Sequence, residues 1–414
     1  MDMAENQNET VAKIVSLCKR RGIVFQNSEI YGGIQGFYDY GPIGVLMKQN
    51  WKNIWWKTNV IERRDVQGID GSIITHPKVW EASGHIKNFA DLEDGKKFNI
   101  MFETQVGVKK GETVKTYLRG EACQNIYLDF KNIVDSVRVK IPFGIAQIGK
   151  AFRNEITPKN FLYRTREFEQ WDIQFFVKPT DETFWFDYWK NNRIEFYKKY
   201  FNQKDKLRLR QHEKDELVFY AKDAFDIEYE TPWGWAEMEG IHDRTDYDLK
   251  QHSEFSRQDL QYSDPETHEK YFPYIIECSG GVDRSLFYLL CDAFQEEKLE
   301  NGDTRTVLKI NPNISAYKMC IIPLAANKPE LVEKAEEIYG KLYTKYSVDF
   351  DDSSNIGKKY RRQDEIGTPW CLVVDYQTLE DNTVTIRDRD TMKQIRLNID
   401  EVDNWLTTEL NKNI

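Results

Sequence analysis

Apolar and polar positions recur along this chain with several periods, and each period predicts an element. In the first twenty residues Val11, Ile14, Val15 and Cys18 fall on one helical face, with Thr10 placed to cap the helix and "KRRG" to close it. A second helix is predicted across "PIGVLMKQNWKNIWWK", where Ile43, Leu46, Met47, Trp51 and Ile54 recur at helical spacing. This Trp-rich stripe suits either a buried core or a contact between two copies, and periodicity alone does not choose between them.

From about Phe98 to Phe176 the pattern becomes short apolar runs with turn residues between them: "FNIMFETQVG", "AQIGKAFRNEI" and "LYRTREFEQWDIQFF". Such runs predict strands of a largely antiparallel sheet. From about 179 to 229 the sequence is charge-rich and reads as a helical insertion, with "RLRQHEKDE" a solvated helix face. The stretches "WGWAEMEGI" and "YIIECSGGVDRSLFYLLCDAF" follow, the second reading as a strand, a glycine turn and a helix.

Beyond about Thr306 strands and helices alternate regularly. "KMCIIPL" and "PWCLVVD" read as buried strands, and "NKPELVEKAEEIYGKLYTKY" as a helix with Asn327 as cap and Pro329 in its first turn. Paired strands "TVTIRD" and "KQIRLNI" and a closing helix, "IDEVDNWLTTEL", complete the chain. The expected organisation is α+β, with a larger part over 1–310 and a small α/β part over 311–414.

Composition narrows the class. The chain has 414 residues, 40% hydrophobic, 30% charged and 14% aromatic, which describes a folded globular protein with room for at least two domains. No apolar run reaches the roughly 18 residues of a membrane span, and "MDMAENQNET" lacks the basic start and apolar middle of a signal peptide. A cytoplasmic protein is expected. The six cysteines form no C-x-x-C pair and the six histidines no metal-binding pattern, so no zinc site is expected. A net charge of −10 argues against indiscriminate nucleic-acid binding, while leaving room for one local basic groove.

Against that acidic background "GKAFRNEITPKNFLYRTREFEQWDIQFF" is unusual, because arginines, acids and Phe168 interleave within apolar strands. If "GKAFRNE" and "YRTREFEQWDI" pair as antiparallel strands, alternation puts Arg153 and Glu155 on one face, and Arg164, Arg166 and Phe168 on one face. Guanidinium forks suit phosphate and an aromatic ring can stack on a base. ATP could be held this way without a phosphate loop, and the chain contains no G-x-x-x-x-G-K-[ST].

"FRNE", a loop and "RTREFEQWD" resemble motif 2 of the class II aminoacyl-tRNA synthetases, and "GGVDRSLFYLL" resembles their motif 3. "YGGIQGFYDYGPIG", "SGHIKNF", "FGIAQIGKAFRNEITPKNF", "WAEMEGIHDRTDYDL" and "IIECSGGVDRS" are similar to signatures of the homodimeric glycyl-tRNA synthetases. The last hundred residues are similar to the anticodon-binding domain of that group. The resemblance implies a catalytic domain with an antiparallel sheet over 1–310 and an anticodon-binding domain over 311–414. It also implies ATP-dependent formation of glycyl-adenylate, transfer of glycine to tRNA-Gly, and a homodimer with a motif 1-like segment around "NVIERRDVQGIDGSIITHP".

Carried over by residue, the ATP contacts fall on Arg153, Asn154 and Glu155; on Tyr163, Arg164, Thr165, Arg166, Glu167 and Phe168; on Glu237 and Met238; and on Gly281, Val282, Asp283 and Arg284. The glycine-side contacts fall on Glu121; on Phe168, Glu169, Gln170, Trp171 and Asp172; and on Glu277, Cys278, Ser279, Gly280 and Gly281. Arg153 and Arg284 are the implied catalytic pair. Mg2+ is expected on the triphosphate, with Glu237 as its protein ligand. Two departures stand out: "LRGEACQ" replaces the usual L-R-P-E-T-A-Q around Glu121, and the insertion usual after Phe89 is shortened, taking with it a substrate-binding arginine. A synthetase-like protein that no longer charges tRNA, or a class II ligase for another amino acid, are the alternatives. In the C-terminal part "GKKYRRQDEIG" suits either RNA phosphates, with Tyr360 for stacking, or a solvated helix.

Overall fold

The computed structural model describes residues 3–93, 96–109, 111–218 and 220–412. The first two residues of the acidic N-terminal stretch, Asp94 and Gly95 in the shortened junction, Lys110, Phe219 of the expected insertion, and the last two residues lie outside the described residues.

The site is carried by a seven-stranded sheet. In spatial order its strands are Leu207–Gln211, Asp223–Thr231, Gly234–Thr245, Tyr274–Gly281, Glu167–Val177, Phe143–Phe152 and Val66–Gly68. All neighbours are antiparallel except the last pair, which is parallel. Alternation along Glu167–Val177 explains how one strand serves both core and site. Trp171, Ile173, Phe175 and Val177 point to a core built with the helices Pro42–Trp56, Glu182–Lys198 and Val282–Ala293. Phe168 and Gln170 reach the opposite face, where the cleft opens. Farther along that face Phe176 packs with Phe143 and Phe130 of the Gln124–Val137 helix.

The tryptophan stripe of the second helix is core. Trp51 and Trp55 are fully buried, with ring centroids 5.6 and 5.5 Å from Trp171. Each such side chain contributes about 1.5–3 kcal/mol of burial free energy, so this cluster anchors the sheet's covered face.

Several expectations are corrected. The first helix spans Met3–Arg20, so Thr10 lies inside it and is no cap; residues 3–9 contain neither Pro nor Gly to start the helix later. The helix Gln124–Val137 falls within a region read as strands, and its buried Ile126, Phe130 and Ile133 follow helical spacing. Within 179–229 only the Glu182–Lys198 helix is long; "RLRQ" belongs to the edge strand Leu207–Gln211. There Arg208 lies opposite Glu228 and pairs with it at 2.7 Å, a cross-strand ion pair that mimics the charge pattern of a solvated helix. Asn327 is one residue early: Lys328 is the cap of the Pro329–Leu342 helix.

The C-terminal part builds a five-stranded sheet in the order Val348–Phe350, Met319–Pro323, Trp370–Val374, Thr383–Asp388, Gln394–Asn398. The first three strands run parallel and the last two antiparallel, around a core of its own. A hairpin of Phe294–Lys298 and Thr304–Leu308 leads into it. From this hairpin the buried Arg305 meets Asp364 at 2.9 Å, and Asp364 also pairs with Arg387 at 2.9 Å. Arg389 donates to the carbonyls of Ile310 and Gly367, at 2.9 and 2.7 Å.

The basic helix Ile356–Ile366 is committed to this packing. Lys359 donates to the Pro323 carbonyl, Arg361 to that of Thr304, and Arg362 pairs with Asp351, while Arg387 stacks on Tyr360. Among the described residues no helix is long and apolar enough to cross a membrane.

Candidate active site

A cleft opens on the uncovered face of the large sheet, over strands Glu167–Val177, Tyr274–Gly281 and Gly234–Thr245. Of the residues singled out from the sequence it gathers Glu121, Arg153, Glu155, Tyr163, Arg164, Thr165, Phe168, Gln170, Glu237, Glu277, Ser279, Gly280, Gly281, Asp283 and Arg284.

Two arginines line the cleft. The strands Phe143–Phe152 and Glu167–Val177 pair as expected, Phe152 facing Glu167, and Arg153 continues the pairing with a backbone bond to Arg166. The Arg153 Nε donates to the Gly120 carbonyl at 3.0 Å. Arg284 stands in the first turn of the Val282–Ala293 helix, held by the Tyr163 carbonyl at 3.1 Å and by Glu237 at 3.2 Å, with its guanidinium over the Tyr163 ring. Glu237 remains 48% exposed. Burial, and then the charge of Glu237, push the nearby Asp226 carboxyl up, so two carboxylates share this corner.

Glu121 and Glu277 line the cleft as well. One oxygen of Glu121, Oε1, takes contacts from His85 at 3.1 Å, the Cys123 thiol at 2.9 Å and Gln124 at 3.0 Å. Burial alone would raise this carboxyl, but His85, Arg244 and the Cys123 thiol together hold it well below the usual range. Glu277 is gripped by Arg244 at 3.0 Å, His242 at 2.9 Å and Gln174 at 2.9 Å. Against its burial, Arg244 and then His242 lower it to about 2, so it stays charged at neutral pH. Asp172 is fully buried, bonded through one oxygen to Gln174; burial and the charge of Glu277 push it up. Together with Cys123 and Glu277 it makes a tight group of cation-binding atoms.

Gln170 bridges the two sides, accepting from the Ala122 amide at 3.0 Å and donating to Ser279. Gly280 is required by close approach: a Cβ there would fall 2.6 Å from the Trp171 indole nitrogen and 3.1 Å from Glu239. Beneath it the Trp171 indole donates to Glu239 at 3.1 Å, and Glu239 is locked to Arg193, both completely buried.

Other singled-out residues lie elsewhere. The side chains of Trp171, Met238 and Cys278 pack in the core on the covered face, since alternation turns them away from the cleft, and Val282 joins them from the first turn of its helix. Arg166 donates to the carbonyls of Glu155 and Gln35 and so ties the loop rather than lining the cleft. Asn154 faces a neighbouring hollow lined by Met101, Phe102 and Tyr117. Glu167 pairs with Lys150. Glu169 pairs with Lys48 and Lys52 at 2.8 and 2.6 Å, and Lys48 also meets Asp283 at 2.6 Å.

The cleft wall also includes Tyr220, Gly240 and His242, which the sequence reading did not assign. Gly240 and His242 lie on the strand carrying Glu237, but a register shift near Met238 switches its faces, so the available signal, plain alternation from Glu237, would have pointed to Glu239 and Ile241 instead. Tyr220, from the turn before the Asp223–Thr231 strand, carried none.

An antiparallel sheet with an arginine at the end of one strand, and a second arginine opening the helix after another, is the arrangement of a class II synthetase. The family model of the tRNA synthetase class II core domain (G, H, P, S and T) matches residues 106–292, and that of the anticodon binding domain matches 318–409. The chain is 48% identical to the glycine–tRNA ligase of Treponema denticola, over 98% of both chains. It is 46% identical to that of Borreliella afzelii, over 96% of this chain and 97% of the other, and 45% identical to that of Clostridium tetani, over 97% and 99%. The chain belongs to the glycine–tRNA ligase family.

Proposed function

We infer that this chain activates glycine with ATP and transfers it to tRNA-Gly. The single observation that carries the reading is one cleft lined by Arg153 and Arg284 together with Glu121 and Glu277. In the proposed complex ATP lies along the Phe168 side, its base against that ring, with Arg153 at the α-phosphate and Arg284 toward the departing pyrophosphate. The glycine ammonium points toward Glu121, Glu277 and Ser279. Its carboxylate attacks the α-phosphorus in line, pyrophosphate leaves, and the terminal ribose hydroxyl of the tRNA later takes the glycyl group.

Little of this chemistry needs a protein nucleophile. Positioning, and cations aimed where charge grows, supply the catalysis. The donors that saturate Glu121 Oε1 leave its other oxygen for a ligand. Gly280 packs directly on Trp171 and Glu239, so the floor cannot sink, and amino acids with a larger side chain are expected to be refused by crowding.

Mg2+ suits the corner where Glu237 and Asp226 approach, because it takes one or two carboxylates together with phosphate oxygens. Glu237 would hold it there, where the ion supplies neutralisation of triphosphate charge. We read 1–310 as the catalytic part and 311–414 as the part that reads the anticodon, a division supported by the separate C-terminal core. A homodimer is supported by the exposed Ile61 and Ile74 flanking the edge strand Val66–Gly68, and work alongside translation places the protein in the cytoplasm.

The test is glycine-dependent exchange of labelled pyrophosphate into ATP, followed by charging of tRNA-Gly in the same preparation. Both activities are expected. Folded protein with no exchange would overturn the reading, and exchange without charging would confine it to the first step.

A further inference from the structure

Arg153 has a support that the activation chemistry leaves unexplained. Its guanidinium lies 5.1 Å from the centroid of the Phe89 ring and 5.5 Å from that of Phe168. Phe168 lines the cleft, but Phe89 does not. Phe89 follows the short helix His85–Asn88, and its ring packs where residue 120 has no side chain. A Cβ on Gly120 would fall 2.7 Å from Phe89 Cε1 and 3.1 Å from Met101 Sδ. Gly120 also supplies the carbonyl that fixes the Arg153 Nε.

We propose that Phe89 is a positioning residue, its ring holding the Arg153 guanidinium in the pose that meets the α-phosphate, and that Gly120 is the gap that admits the ring. The inference rests on the reading that Arg153 faces that phosphate. Arg284 is steadied by the Glu237 carboxylate, which offsets part of its charge, whereas Arg153 is held still without being neutralised. A carboxylate partner at Arg153 would lower the charge it offers the phosphate. Among the described residues Arg153 has no carboxylate within ion-pair distance, and aromatic faces are what remain. A ring attracts the guanidinium through its quadrupole, restrains a side chain with large rotamer freedom, and leaves the positive charge intact for the ligand. The Gly120 carbonyl sets one end of the planar fork, while Phe89 and Phe168 limit rotation of the rest. This also gives a physical reason for glycine at 120, since any side chain there would push the ring away.

The test uses the full-length enzyme and glycine-dependent pyrophosphate exchange, with thermal melting to establish that each variant is folded. Phe89→Leu keeps an apolar side chain and removes the ring; Phe89→Tyr keeps the ring. Loss of the cation–ring contact should lower kcat/KM for ATP about two- to thirty-fold in Phe89→Leu, with Phe89→Tyr restoring it to within about twofold. Gly120→Ala should impair exchange by displacing the ring, and should cost much less in the Phe89→Leu background, where there is no ring to displace. Wild-type activity in Phe89→Leu, an equal loss in Phe89→Tyr, or a full Gly120→Ala penalty without the ring each overturns the proposal. Should Phe89→Leu fail to fold, Gly120→Ala alone decides: normal exchange at unchanged melting temperature overturns the proposal. Arg153→Ala separates the two levels. If it retains wild-type exchange the phosphate reading itself fails; if it is crippled while Phe89→Leu is normal, only the positioning role fails.

Discussion

Replacing Arg193 by methionine leaves a carboxylate buried without its counter-charge. Arg193 and Glu239 are both completely inaccessible to solvent, and the pair is joined at two points, with Nη2 3.0 Å from Glu239 Oε2 and Nε on Oε1. Glu239 also accepts from Tyr197 at 2.6 Å and from Trp171 at 3.1 Å, and Arg193 donates to Asn59 at 2.8 Å. We predict that Arg193→Met destabilises the catalytic part by about 3–5 kcal/mol, the usual cost of breaking a buried pair by removing one partner. For a unit of this size that corresponds to a fall in Tm of roughly 5–8 °C. The double variant Arg193→Met with Glu239→Gln should recover about 2 kcal/mol or more, because the glutamine carbonyl still accepts from Tyr197 and Trp171 while no charge is buried. Urea denaturation of the wild type, both single variants and the double variant measures this coupling. A loss below about 1 kcal/mol in Arg193→Met, or a double variant no better than the worse single one, would refute the argument that charge burial dominates here.

Further predictions concern the site. Arg284→Ala should lower kcat of pyrophosphate exchange about 10²–10³-fold, as removal of a preorganised charge at a leaving group does, and an unchanged kcat would remove Arg284 from the chemistry. Glu121→Gln should raise KM for glycine by about 10- to 100-fold through loss of a charge-assisted contact, with smaller change in KM for ATP; equal changes in both would argue for general disruption. Burial, and then a hydrogen bond with Glu182, raise Asp243 to about 8. Its folded pKa lies above its unfolded one, so the stability it contributes is complete below about pH 4 and is lost as pH rises toward 8, by up to about 1.4 kcal/mol per pH unit. Asp243→Asn should flatten that decline in urea midpoints measured between pH 5 and 8, and parallel curves would exclude a raised Asp243.

The sheet and the arginine pair were legible because their signals are local. Arg153 and Arg284 sit at a strand end and a helix start that short periodic patterns mark, and the resemblance to the two synthetase motifs singled the arginines out there. The acidic subsite was legible only in part. Glu277 could be singled out, yet what keeps it charged is Arg244, His242 and Gln174, brought together by the pairing of three strands that no single-strand pattern encodes. The edge strand at Leu207–Gln211 was misread for the opposite reason. Its alternating charges are satisfied across a neighbouring strand, and a one-dimensional pattern cannot separate that from a solvated helix face. The aromatic seat of Arg153 was hidden as well, since Phe89 and Phe168 are far apart in the chain.

The ion network around Arg305 forms a seam between the two parts of the molecule. Arg305 leaves the catalytic side on a hairpin and is clamped by Asp364, while Arg389 reaches back to the carbonyl of Ile310. Loops that join domains usually swing, but a buried guanidinium held on both sides does not slide without exposing unpaired charge. Buried charge therefore ties the large-sheet part to the C-terminal sheet at this seam. Substitutions at this seam are expected to alter the spacing of the two parts while leaving each of them folded.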